Sequence, residues 1–234
     1  MKWMRRSNEV THLSTALLAS ALLWLEANAA ENFAALPAVG SHQLRILSPT
    51  LLELTLVTTK DPNPAPVTTW NFVGPNFAFT PPLANEFRVT ANGSAVPVTQ
   101  VGFRRRPVYA PVRNRDLRIG NSIFLRLGVP LVTGQTVIVG NPGGSLWNSA
   151  TIQYSAVVET RRYNPAIHVN QVGYGPGLSK KAMVGYYLGS LGEMAIPGTT
   201  FNLLDANSRA MLYTGALTPR IESAERCLRG APLR

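Results

Sequence analysis

Six arginines form the densest group of side chains that could do chemistry in this sequence. They are Arg104, Arg105, Arg106, Arg113, Arg115 and Arg118, with Asp116 the only acid among them, in a chain of formal net charge +10. A patch of this kind can bind phosphate, an acidic glycan or another anionic surface by releasing counterions. The alternative is a solvated loop, which the sequence favours.

The sequence gives little support for nucleic-acid binding, a disulfide or a metal site. The arginine stretch lacks the aromatic platforms of single-strand binders and matches no helix-turn-helix or RNA-recognition signature, so no nucleic-acid partner is expected. The histidines at 12, 42 and 168 are far apart, and Cys227 is the only cysteine. Neither an intrachain disulfide nor a metal site follows from such spacing, and we expect no metal and no cofactor.

Aromatic residues form a second group with two interpretations. Trp70, Phe72, Phe77 and Phe79 follow a proline-rich loop at residues 61–69. Aromatic rings of this kind can line a sugar-binding platform or fill the core of a sandwich. The sequence favours the core.

The elements that must position these groups are short strands. Leu52, Leu54 and Leu56 alternate with Glu53 and Thr55, which predicts one buried face and one face in water. The dipeptide at residues 92–93, Asn-Gly, predicts a hairpin within residues 87–103. Further strands are expected at residues 43–47, 51–58, 122–127, 136–140 and 151–158. Residues 31–160 therefore read as a β-sandwich of the immunoglobulin or fibronectin type.

A polar segment at residues 159–165 ends in proline and predicts a domain boundary. Beyond it, strands are expected at residues 167–172 and 180–188. Between them, Gly173, Gly175, Pro176 and Gly177 predict an abrupt turn that lets Tyr174 fold back. The fold class is thus all-β, with two sandwiches in tandem.

The stretch IHVNQVGYGPGLSKKAMV, residues 167–184, resembles the start of the N-terminal immunoglobulin-like domain of glycoside hydrolase family 9, the cellulase and endoglucanase family. The resemblance continues through FNLLDANSRAMLYTGAL and covers about residues 167–217. It implies a small sandwich that rests beside a helical barrel, and this barrel hydrolyses β-1,4-glucans with paired aspartates and a glutamate.

No catalytic residue can be transferred from that family. Inverting hydrolysis needs two carboxyl groups about 6.5 to 9.5 Å apart. The acids between residues 30 and 218 include no Asp-x-x-Asp pair and are Glu31, Glu53, Asp61, Glu86, Asp116, Glu159, Glu193 and Asp205. We expect the catalytic domain to be absent and this chain to be inactive alone.

Four residues of the resembling motif, Asn170, Gln171, Gly173 and Tyr174, are transferred only as family-typical positions. Amide and hydroxyl groups there can satisfy the backbone of a turn, which is the favoured interpretation. The alternative is a contact with a neighbouring catalytic domain.

The two ends of the chain differ from its body. Residues 1–29 combine early basic residues, an apolar run at 13–25 and a small-residue site, which predicts a signal-peptide helix cleaved near Ala29. We therefore expect a secreted or periplasmic protein with no membrane span after cleavage.

Residues 219–234 show no strand pattern. We expect an irregular tail that leaves the second domain, residues 165–218, incomplete, in a truncated or frameshifted product.

These features favour the non-catalytic N-terminal region of a secreted polysaccharide-degrading enzyme, whose partners are a catalytic glycosidase domain and, in addition, a polysaccharide. One alternative is a carbohydrate-binding module that uses Trp70, Phe72 or Trp147. Another is a surface interaction protein that uses the arginine loop.

Overall fold

The computed structural model describes residues 37–59, 70, 72, 79–108, 118–170 and 172–219. The predicted signal peptide, the loop at 61–69, Phe77 and residues 220–234 with Cys227 lie outside the described residues. No helix in the described part of the chain is long and apolar enough to cross a membrane.

Among the described residues, eight strands form the β-sandwich of the first compact unit. They are β1 (His42–Ser48), β2 (Leu51–Thr59), β3 (Arg88–Ala91), β4 (Ser94–Val96), β5 (Val98–Pro107), β6 (Arg118–Leu127), β7 (Thr136–Gly140) and β8 (Tyr154–Val157). They make two four-stranded antiparallel sheets, ordered β1-β2-β6-β5 and β4-β3-β7-β8. The predicted all-β fold of the immunoglobulin-like sandwich type is confirmed.

Apolar side chains from both sheets meet in one core. Leu54 and Ile123 from the first sheet and Val137 from the second have no exposed surface. Trp70 and Tyr154 fill the same cluster, with their rings stacked at 6.4 Å. The Tyr154 hydroxyl donates to the Thr55 carbonyl at 2.9 Å, so the buried polar end of this ring is satisfied.

The Asn92-Gly93 hairpin forms as predicted, with φ of 48° and 82° at the two turn residues. Its second arm, however, is not continuous up to residue 103. Pro97 separates β4 from β5, and the two strands lie in different sheets. Proline has no backbone N–H for a ladder, which explains why the chain changes sheets at this point.

The segment after the sandwich pairs only briefly. Strands β9 (Ile167–His168) and β10 (Met183–Val184) form a two-residue ladder, shorter than predicted, and a 3₁₀ turn follows at Gly189–Leu191. The compact unit that holds the sandwich ends at Glu193. The predicted domain limits at 160 and 165 stay a prediction.

The second compact unit begins at Met194, and its described residues contain one hairpin, β11 (Thr200–Leu204) with β12 (Met211–Ala216). Asp205 holds its turn by accepting hydrogen bonds from the backbone of Asn207 and Ser208 and from the Ser208 hydroxyl. These bonds to the charged form lower the pKa of Asp205.

Candidate functional site

A row of four residues crosses the outer face of the β1-β2-β6-β5 sheet. Arg45 on β1 is opposite Glu53 on β2, Glu53 is opposite Phe124 on β6, and Phe124 is opposite Gly102 on β5. Because side chains of adjacent residues alternate between faces, this row points away from the core that holds Leu52 and its inward-facing neighbours.

Glu53 has no exposed surface, so the prediction that this face of β2 lies in water is wrong. Contacts of Glu53 and Arg104 with Tyr186 show the cause, because the segment 186–191 lies against this face. We call this segment the docking segment. A buried charge must be paired and hydrogen-bonded, and the surrounding side chains supply the partners.

The Glu53 carboxylate is the centre of a small polar network. Its Oε1 accepts hydrogen bonds from Arg104 Nη2 at 3.2 Å and from the Tyr186 hydroxyl at 2.9 Å. Its Oε2 lies 3.5 Å from Arg45 Nη1. Arg104 also donates from Nη2 to the Tyr186 hydroxyl at 2.6 Å and from Nη1 to the Tyr187 carbonyl at 2.6 Å. Two strands of the sandwich are thereby joined to the docking segment.

Aromatic rings enclose the Arg104 guanidinium. Its Cζ lies 4.5 Å from the centroid of the Tyr186 ring and 5.4 Å from that of Phe124, distances suited to cation–π attraction. Burial raises the pKa of the Tyr186 hydroxyl, and the negative charge of Glu53 adds to the effect while Arg104 opposes it. The hydroxyl therefore stays protonated and acts as a donor to Glu53.

Two glycines allow the docking segment to approach the sheet closely. A Cβ at Gly102 would collide with the Leu191 side chain. A Cβ at Gly189, whose φ is +63°, would collide with the carbonyl group of Phe103. The Phe103 N–H donates to the Ser190 hydroxyl at 3.0 Å, so the close approach also satisfies a backbone donor.

A cleft of about 650 Å³ opens beside this network. We call it the arginine cleft. The side chains that matter most for its chemistry are those of Arg45, Arg106, Arg162, Tyr163, His168 and Tyr186. No acidic side chain lines it among the described residues. It is a concave, cationic feature of the described surface.

The predicted arginine patch is divided by the alternation of β5. Arg104 is in the Glu53 network, and Arg106 on the same face is exposed in the arginine cleft. Arg105 points the other way and donates to the Asn121 amide oxygen at 3.1 Å, and burial lowers its pKa. Arg118 donates to the Pro37 carbonyl at 2.8 Å. Arg113 and Arg115 lie outside the described residues, and anion binding by the whole patch stays a prediction.

Asn170 and Tyr174 hold the turn of the family-like motif. The Asn170 amide donates to the Gly173 carbonyl at 2.6 Å and accepts from the Val172 N–H at 3.1 Å. The Tyr174 hydroxyl accepts from the Asn170 N–H at 3.1 Å and donates to the Lys181 carbonyl. These bonds take backbone groups that a longer ladder would use, which explains the short β9.

Gly173 adopts φ of +105°, a conformation that glycine tolerates best. Gln171 lies outside the described residues. A role of the four motif residues in contacting another domain stays a prediction.

The aromatic residues considered for a sugar platform are mostly in the core. Trp70 and Trp147 are 2 % and 3 % exposed, and the Trp70 indole N–H donates to the Leu146 carbonyl at 2.8 Å. Phe72 packs edge-on against Phe103 at 4.8 Å. Buried rings offer no face on which a sugar could stack, so these two tryptophans do not form a platform. No cluster of three potential metal ligands occurs within the described ranges.

Comparison with known proteins gives one match. Residues 162–227 match the family described as cellulase N-terminal ig-like domain. This stretch is similar to that domain. The match includes β9 to β12 and the whole docking segment, and it confirms the resemblance to a cellulase N-terminal Ig-like domain. The further assignment to glycoside hydrolase family 9 stays a prediction. Neither a curated protein nor a solved structure matches the chain.

Sequence reasoning missed the Glu53 network and three residues of the arginine cleft: Arg45, Arg162 and His168. One signal was available, since Glu53 is the only charged residue within β2. A lone acid within a leucine-rich strand can indicate a buried, paired charge. Its partner Tyr186 is far away in sequence, and no local pattern connects the two.

Proposed function

We propose that this chain is the non-catalytic N-terminal Ig-like region of a secreted, cellulase-like glycoside hydrolase of family 9, and that it supports or positions a catalytic domain. The observation that carries the proposal is the match of residues 162–227 to a cellulase N-terminal ig-like domain. The proposal of secretion is based on the signal-like residues 1–29, and N-terminal sequencing should find that the exported protein begins near Ala30.

The fixed attachment of the docking segment supports a structural role. A segment that positions a second domain must itself be held rigidly, and Glu53 and Arg104 bind its Tyr186 through directed, partly buried contacts. Two of the described acids have structural contacts. Glu53 is paired with arginines, and Asp205 holds the turn of its hairpin.

The test compares three samples in a β-1,4-glucan hydrolysis assay: this chain, a family 9 catalytic domain, and the two joined in one polypeptide. This chain alone should release no reducing sugar. The joined protein should be active and should unfold at a higher temperature than the catalytic domain alone, because a partner that binds only the folded state stabilises it.

A matched control replaces this chain by an unrelated β-sandwich of similar size. Hydrolysis by this chain alone would contradict the proposal. An unfolding temperature of the joined catalytic domain no higher than in the control would also contradict it.

A further inference from the structure

The arginine cleft carries positive charge that no acidic side chain balances in the part of the chain that the structure describes. Arg45 is paired with Glu53 at 3.5 Å. Arg106 is exposed, and its side chain has no hydrogen bond or ion pair to the described residues. Within the described residues, the Arg162 side chain donates to the backbone carbonyls of Ile46 and Glu159 and to no carboxylate. Arg106 and Arg162, which line one cleft, thus have no carboxylate partner among the residues that the structure describes.

Two hydrogen bonds to backbone carbonyls fix the position of the Arg162 guanidinium, which suits a group that binds a ligand. Its Nε donates to the Ile46 carbonyl and its Nη1 donates to the Glu159 carbonyl at 2.6 Å. Neither bond uses Nη2. Arg162 is partly buried, and this loss of solvation lowers its pKa. An anion in the cleft would replace part of that missing solvation.

The wall next to these cations is apolar and exposed. Tyr163 is 51 % exposed and Ile167 is 54 % exposed, and both line the cleft. The guanidinium of Arg45 lies 5.9 Å from the centre of the Tyr163 ring. Aromatic surface beside a planar guanidinium suits a ligand that has both an apolar ring face and a carboxylate. A free inorganic anion would contact the arginines and leave the apolar wall without a partner.

From this arrangement we infer that the arginine cleft binds an acidic saccharide, with a uronate carboxylate on Arg106 and Arg162 and the sugar ring against Tyr163. Guanidinium groups bind carboxylates through paired, charge-assisted hydrogen bonds, which gives the site its preference for the acidic sugar. The site goes beyond the proposed supporting role and does not depend on it.

Calorimetric titration of the whole chain with trigalacturonate at low ionic strength tests the inference. Cellotriose and inorganic phosphate are titrated in parallel. We expect trigalacturonate to bind more tightly than either, with an affinity that falls as salt is added, because exposed charges are screened. Loss of one charge-assisted contact in Arg106→Gln should weaken binding about tenfold.

The matched control is Arg88→Gln, which removes an exposed arginine from β3 in the other sheet. It changes the net charge equally and should leave the affinity unchanged. Equal affinity for phosphate and trigalacturonate would overturn the saccharide assignment. Absence of trigalacturonate binding, or equal weakening by both substitutions, would overturn the site itself. Neither result would affect the supporting role, which hydrolysis and thermal unfolding test separately.

Discussion

The β1-β2-β6-β5 sheet buries side chains on both faces, yet by different chemistry. On the inner face, Leu54 and Ile123 are fully buried among other apolar side chains. On the outer face, Glu53 is equally buried but is surrounded by Arg45, Arg104 and Tyr186. Hydrophobic burial stabilises a core with little regard to direction, whereas hydrogen-bonded charges need defined partners. The inner face therefore supplies stability, and the outer face determines which segment covers it.

The largest expected effect is on the inner face. Leu54→Ala removes buried methyl groups and leaves a cavity, so the free energy of unfolding should fall by about 4 kcal/mol. Chemical denaturation measures this change. The matched control is Leu83→Ala, because Leu83 is 66 % exposed and should change stability little. Similar losses in the two variants would contradict the assignment of Leu54 to the core.

Glu53→Gln should have a somewhat smaller effect, and it should be local. Loss of the carboxylate leaves Arg104 and Arg45 without their anion, and breaking a buried pair costs about 3 kcal/mol. Hydrogen exchange should accelerate most at residues 185–192, where the Gly185 and Leu188 amides are bonded. Glu193→Gln, which removes an exposed acid, is the control. Uniform acceleration across β1 to β8 would show that the network does not hold the docking segment specifically.

Gly102→Val tests the close approach of the docking segment to β5. The new side chain would occupy the position of Leu191, and overpacking of this kind costs about 2 kcal/mol. Thermal unfolding and exchange at the 3₁₀ turn report the change. Gly143 has open space around it, so Gly143→Val is a suitable control. An unfolding temperature of Gly102→Val equal to that of the control would mean that Leu191 does not pack on this glycine.

Tyr186→Phe should have the smallest effect. It removes one hydroxyl that donates to Glu53 and accepts from Arg104, while the ring that covers Arg104 remains. A lost hydrogen bond to a charged group corresponds to about 1.5 kcal/mol in the free energy of unfolding. Tyr187→Phe alters a 58 % exposed neighbour and should change nothing measurable. Equal behaviour of the two variants would exclude the hydroxyl from the network.

Most of the sandwich could be predicted from the sequence because its signals are local. The alternation of Leu52, Leu54 and Leu56 predicts β2, and the Asn-Gly dipeptide predicts the β3–β4 turn. The change of sheet at Pro97 was missed, since period-two alternation does not say which sheet a strand joins. The shortness of β9 was missed because the Tyr174 hydroxyl binds the Asn170 N–H and the Lys181 carbonyl, which would otherwise continue its ladder.

The site could hardly be predicted, because it is built from distant segments. Glu53 and Tyr186 are joined only by the register of the first sheet and by the return of the chain over its outer face. Arg106 was selected from an arginine run, but Arg162 and His168 stood alone in sequence. Within the arginine run on β5, side chains alternate between the two faces of the sheet, so Arg105 lies on the face opposite to Arg104 and Arg106. Clustering in sequence was thus a poor guide to clustering in space.

A double-mutant cycle between Glu53 and Tyr186 tests most directly whether directed contacts hold the docking segment on the sandwich. The free energy of unfolding is measured for Glu53→Gln, Tyr186→Phe and the double variant. If the two side chains bind each other as the 2.9 Å contact indicates, the effects should be non-additive by about 1 kcal/mol. Additivity within about 0.3 kcal/mol would contradict the account.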